Sequence, residues 1–153
     1  MNLDALHYAE DLQVGQVIPF GTYAVTEEEV LAFAESWDPQ WFHTDVDAAA
    51  AGPYGGLIAS GIQTLAIYQR LNVQATQWAA IAGRALRDIR FLRPVRPGDT
   101  LTGFVRVADL VPEPDRNRAL LTSAGELSNA DGKPVLTITV DAYLHLSRAA
   151  VSR

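Results

Sequence analysis

The chain has 153 residues, 48% hydrophobic and 20% charged, the size and make-up of one folded globular unit. Its formal net charge of −6 argues against nucleic acid or an anionic membrane surface as a partner. With no cysteine, disulfides, thiolate catalysis and cysteine-ligated metals are excluded, and three scattered histidines make a poor zinc site.

The opening segment, "MNLDALHYAEDLQVGQ", carries acids and has no apolar core, so it does not read as a signal peptide. No apolar run approaches the ~20 residues needed to cross a bilayer. A soluble cytoplasmic protein is expected. "VGQVIPFGTYAV" places aromatic and β-branched residues around a glycine and predicts two short strands. In "TEEEVLAFAES", Thr26 is an N-cap, Glu29 sits three residues on, and Val30, Leu31, Phe33 and Ala34 supply an apolar side. That helix ends near Trp37, because Pro39 disfavours helical geometry at Asp38.

"DVDAAAAGPYGG" reads as a short helix capped by Asp45 and stopped at Gly52 and Pro53, with "GPYGG" as a flexible link. "LIASGIQTLAIYQRLNVQ" follows, capped by Ser60. Its apolar positions, Ile58, Ile62, Leu65, Ile67, Tyr68 and Leu71, cover most of the circumference and predict a buried helix. From Gly83 onward the texture is that of long strands, separated by the turns "RPGD", "PEPDRN" and "NADGK". A strand pair, helices, then antiparallel strands make an α+β pattern: one buried helix against a curved antiparallel sheet.

Chemistry is concentrated in "SWDPQWFHTD", residues 36 to 45. Asp38 and His43 stand five apart with proline and two aromatics between them. An acid and a histidine sharing a water can move protons near neutral pH. The plain alternative is a turn at Asp-Pro and a structural histidine. Trp37, Trp41 and Phe42 read as core or pocket wall. His7 and His145 have no partner nearby in sequence and are taken as non-catalytic. Arg84, Arg87, Arg90, Arg93 and Arg96 form a basic stripe on an acidic chain. An arginine fork suits phosphate, so one or two of them are expected on a nucleotide, although alternating strand faces prevent all five from reaching one ligand.

"FAESWDPQWFHTD", then "GPYGGLIASGIQT", then "FLRPVRPGDTL" together resemble the MaoC-like dehydratases, the family of the R-specific enoyl-CoA hydratases, over about residues 10 to 146. The family motif is Asp, any residue, Asn, Pro, an aliphatic residue, then His. This sequence keeps Asp38 and His43, but has Gln40 for the Asn and Trp41 for the Pro. Ser60 stands where the family often has a histidine before the glycine that opens the central helix.

The resemblance implies a single hotdog domain over residues 1–153, with a long central helix wrapped by a curved antiparallel β-sheet. It implies a hydro-lyase that reversibly adds water to a 2-enoyl-CoA, or a related acyl thioester, giving the 3-hydroxyacyl thioester. Asp38 and His43 would be the catalytic pair. Gly61, with Ser60 before it, would meet the thioester oxygen. No metal or redox cofactor is implied, and coenzyme A enters as part of the substrate. The partners implied are an acyl-CoA or acyl-carrier thioester and a second copy, as a homodimer or dimer of dimers. Two other readings stay open: a hotdog thioesterase, and an acyl-binding or partner subunit without catalysis.

Overall fold

The computed structural model describes residues 5–148. Six strands form one antiparallel sheet: β1 (Val17–Pro19), β2 (Tyr23–Ala24), β3 (Ala80–Phe91), β4 (Thr100–Glu113), β5 (Arg118–Ser128) and β6 (Pro134–His145). The order is β1-β4-β5-β6-β3, and β2 pairs with the start of β4. The two N-terminal strands therefore both lie on β4, Val17 opposite Arg106 and Tyr23 opposite Leu101.

Among the described residues, four α-helices lie between β2 and β3: α1 (Glu27–Trp37), α2 (Trp41–Thr44), α3 (Val46–Ala51) and α4 (Gly61–Thr76). Their starts follow from their caps. Thr26 accepts from the Glu29 amide, Asp45 from the Ala48 amide, and Ser60 from the Ile62 amide. α4 ends at Gln77 in the left-handed region. Only the one-turn α2 has no counterpart in the sequence reading.

The core lies between α4 and the concave face of the sheet. Ile67, Tyr68 and Leu71 of α4 pack in one cluster with Val105, Leu127, Leu136 and Ile138. β5 follows the period of two: Ala119, Leu121, Ser123, Gly125 and Leu127 turn inward, and the residues between them do not. Gly125 is required there, because a Cβ would overlap the Tyr68 hydroxyl and ring. This long helix wrapped by a curved antiparallel sheet is the hotdog arrangement.

Two expectations are corrected. α4 is not apolar all round: Ser60, Thr64, Tyr68, Asn72 and Thr76 form a polar file at spacing four, and all are buried, while Ile62 is 55% exposed. Steric room under the helix, not hydropathy alone, decides which side goes in. Trp37 is not core either, being 76% exposed at the end of α1. β3 begins at Ala80, before Gly83, and runs along the sheet edge with most of its side chains exposed. Its pairing with β6 is broken by three register shifts, and Asp88 has a φ of +52°.

Candidate active site

The site is built where α1 ends, α2 passes and α4 starts. α1 stops at Asp38, whose amide still bonds to the Ala34 carbonyl while its φ and ψ leave the helix. Pro39 then turns the chain into α2, which carries His43. The segment before α4 is fixed from both sides. The Ala59 amide donates to the Val95 carbonyl at 2.8 Å, and the Ile58 amide to the Phe42 carbonyl at 3.3 Å. "RPVRPGDTL" thus buttresses the approach to Ser60. Its turn is tied by the Arg96 amide on Asp99 and by Gly98 at φ +92°.

These elements bring Asp38, His43 and Ser60 together. Ser60 Oγ donates to Asp38 Oδ2 at 2.7 Å, and its lone pair accepts the Ile62 amide at 3.1 Å. Asp38 Oδ1 accepts from Gln40 Nε2 at 3.2 Å. His43 Nε2 lies 3.4 Å from Asp38 Oδ2. The Asp38 carboxyl is held below the usual carboxylate range, chiefly by the Ser60 hydroxyl, then by Gln40 and His43, against partial burial.

The tautomer of His43 follows from its other nitrogen. Nδ1 is 2.7 Å from the Ile58 carbonyl oxygen, which can only accept, so Nδ1 carries a proton. In the neutral ring Nε2 is then a bare lone pair. It faces a carboxylate oxygen, two acceptors at a separation too long for a direct bond of good geometry. A water seated to one side of the pair, within reach of both atoms, would have an acceptor for each of its protons. The ring is 4% exposed and is braced edge-on by Phe42, with centroids 4.5 Å apart. Trp41 and Tyr54 stand edge-on to Phe42 in turn. Gly52 lets the Trp41 ring approach, since a Cβ there would come within 2.7 Å of it.

Gly61 is the first residue of α4, so its amide has no acceptor within the helix. The glycine also has a packing reason. A Cβ would meet the Phe91 ring at 2.9 Å. Phe91, at the end of β3 and 52% exposed, therefore lies over the helix start. The sequence reading missed it, and no local motif could have shown a contact across thirty residues of chain. Ser60 is present as expected, but both polar functions of its hydroxyl are engaged with Asp38 and the Ile62 amide. It positions the acid and caps the helix.

The arginine stripe does not converge on the site. Arg87 makes a two-point ion pair with Asp141 across β3 and β6. Arg84 lies over the Tyr143 ring, and Arg93 donates to the Pro134 carbonyl. Arg96 reaches the Tyr54 carbonyl at 2.6 Å, so the segment read as a flexible link is clasped to the β3–β4 turn. His7 bridges to Trp78 and His145 closes β6, both away from Asp38. Among the described residues no group of three or more potential metal ligands forms, and no helix is long and apolar enough to cross a membrane.

This fold and this acid–histidine pair define a class. The MaoC like domain model matches residues 11–120, and the chain belongs to that family. It is 36% identical to an uncharacterized protein, YdeM, of Bacillus subtilis, over 68% of this chain and 75% of that one. To a 3-hydroxybutyryl-CoA dehydratase of Methylorubrum extorquens it is 30% identical, over 86% of this chain and 83% of the other. Among solved structures, the MaoC-like dehydratase from Rhodospirillum rubrum superposes with a TM-score of 0.84 at 33% identity, covering 92% of this chain and 98% of that one.

Proposed function

We propose that the protein is a hydro-lyase that reversibly adds water to a 2-enoyl-CoA, or a closely related acyl thioester. The observation that carries this is the closeness of Asp38 Oδ2 and His43 Nε2, 3.4 Å apart in a largely buried setting. Both would accept from one water and raise its nucleophilicity. Its oxygen adds to C3 of the enoyl group, one of its protons passes to the pair, and a proton from the pair is delivered to C2. The electron density driven onto the thioester oxygen is met by the Gly61 amide at the start of α4. Atoms balance as one water consumed per hydroxyacyl thioester formed, and the step calls on no resident cofactor. The relatives named as dehydratases support the reaction class. As part of the same proposal the enzyme is cytoplasmic and works as a homodimer joined along the sheet edge.

The test is loss of enoyl thioester absorbance on purified protein with short and medium trans-2-enoyl-CoA. Asp38→Asn and His43→Ala are each expected to lower kcat at least about a hundredfold with the fold intact by circular dichroism. A near-native rate in either variant removes that residue from the mechanism. Release of free coenzyme A thiol instead of hydration would replace this reading with a thioesterase.

A further inference from the structure

The strap that leads into α4, residues 54 to 59, is pinned at two points by adjacent residues of the β3–β4 connection. At its far end the Ala59 amide donates to the Val95 carbonyl at 2.8 Å. At its near end Arg96 Nη2 donates to the Tyr54 carbonyl at 2.6 Å. Among the described residues, this second bond is the only hydrogen bond that ties residues 53 to 57 to a distant part of the chain. Gly55, at φ +64°, and Gly56 give the strap little stiffness of its own. Between the two pins lies the Ile58 carbonyl, 2.7 Å from His43 Nδ1.

The ordinary roles of an arginine do not describe Arg96. Among the described residues no carboxylate pairs with its guanidinium. Asp99, its neighbour in the turn, accepts from the Arg96 amide instead, and the Asp99 amide donates back to the Arg96 carbonyl. The Gly98 amide bonds to the Val25 carbonyl, so the side chain reaches out from a fixed base. It lies along the strap: Nη2 takes the Tyr54 carbonyl, and a Cβ at Gly56 would come within 3.4 Å of Nη1. A charged donor on a neutral carbonyl makes a stronger bond than a neutral pair does. The same strap carries the Tyr54 ring edge-on to Phe42, which braces His43.

We propose that Arg96 is a positioning residue for His43: by holding the strap at Tyr54 it keeps the Ile58 carbonyl on Nδ1 and so keeps the Nε2 lone pair free. The consequence for turnover rests on the hydration reading above; the effect on the ring does not. A neutral imidazole has one ring proton to place, and the acceptor at one nitrogen decides which nitrogen holds it. Without Arg96 the strap is pinned only at Ala59, and the Ile58 amide holds the Phe42 carbonyl at a long 3.3 Å. The Ile58 carbonyl then swings away from Nδ1. Nε2 takes the proton and turns it toward Asp38, 3.4 Å away. The pair loses one of the two acceptors that a water needs. An arginine placed on a coenzyme phosphate would leave a different trace, because its loss removes binding and raises KM, whereas a misplaced ring proton lowers kcat.

The test compares wild type with Arg96→Met and Arg96→Lys. Methionine keeps much of the apolar stem and removes the donors; lysine keeps a donor. Neither alters the amide that Asp99 holds. Nitrogen NMR of isotope-labelled histidine is recorded at about pH 9, where an imidazole is ordinarily neutral. The His43 signals are those missing from His43→Ala. In wild type Nδ1 should resonate as a protonated nitrogen and Nε2 as a bare one. In Arg96→Met the two resonances should move toward each other. With trans-2-hexenoyl-CoA its kcat should fall about tenfold or more, with KM little changed. Arg96→Lys should recover part of both. Unmoved resonances in Arg96→Met overturn the proposal, even beside a lower Tm, which would mark Arg96 as support for the loop alone. A raised KM with native kcat overturns it too, and would put Arg96 on the coenzyme. If wild type hydrates nothing offered, the resonances decide alone. A shift in Arg96→Met that Arg96→Lys reverses upholds the positioning while the hydration reading falls; no shift overturns the positioning as well.

Discussion

Ser60 controls more than its burial suggests. Its one proton goes to Asp38 and its lone pair takes the Ile62 amide, so a single hydroxyl joins the acid to the central helix. That donation is the largest cause holding the Asp38 pKa down. A carboxyl lowered on folding adds stability above its unfolded pKa, and that contribution is lost as pH falls through the folded value. Ser60→Ala removes the chief cause, so the Asp38 pKa should rise. The acid limb of the pH profile of kcat/KM should move to higher pH, and the lost cap should cost about 1 kcal/mol. An unmoved acid limb with lowered stability would leave Ser60 as a cap only.

At the scale of the element, the meeting of α4 and β5 sets the helix position. Tyr68 enters the space left by Gly125 and stacks edge-on against Phe20 at 5.6 Å, yet its hydroxyl has no partner. Gly125→Ala should lower stability by about 1–3 kcal/mol in urea unfolding, as overpacking does. Tyr68→Phe should leave stability unchanged or raise it, since only an unsatisfied group is removed. A large loss in Tyr68→Phe would reveal a partner for that hydroxyl. Such contacts mark the limit of what was legible beforehand. The caps Thr26, Asp45 and Ser60, the stop at Pro39 and the turns at Gly98 and Gly132 act through neighbours in sequence, and they were readable. Asp38 and His43 were readable because their motif is local. The inward turn of Asn72, the Phe91 ring over Gly61 and the Ile58 carbonyl on His43 depend on distant chain or on backbone atoms, which carry no residue signature. β3 began early because an exposed edge strand need not alternate.

Across the whole molecule, the sheet has an open edge at β3. This twelve-residue strand carries Ile81, Leu86 and Phe91 at 45%, 56% and 52% exposure. A long apolar edge is a pairing surface, and in the proposed dimer a second copy covers it. Light scattering should give twice the 16.6 kDa of one chain. Leu86→Glu should return it to the mass of one chain at low micromolar concentration. A wild-type mass of one chain would remove β3 as the joining edge. The three register shifts along that strand then acquire a meaning for the cell. A regular edge takes any neighbour that offers a regular ladder, including the endless stack of a fibril. An edge with its pitch broken in three places fits best a strand broken to match. In the proposed dimer, among many sheets of similar curvature, the irregularity would work as a key cut for the protein's own kind.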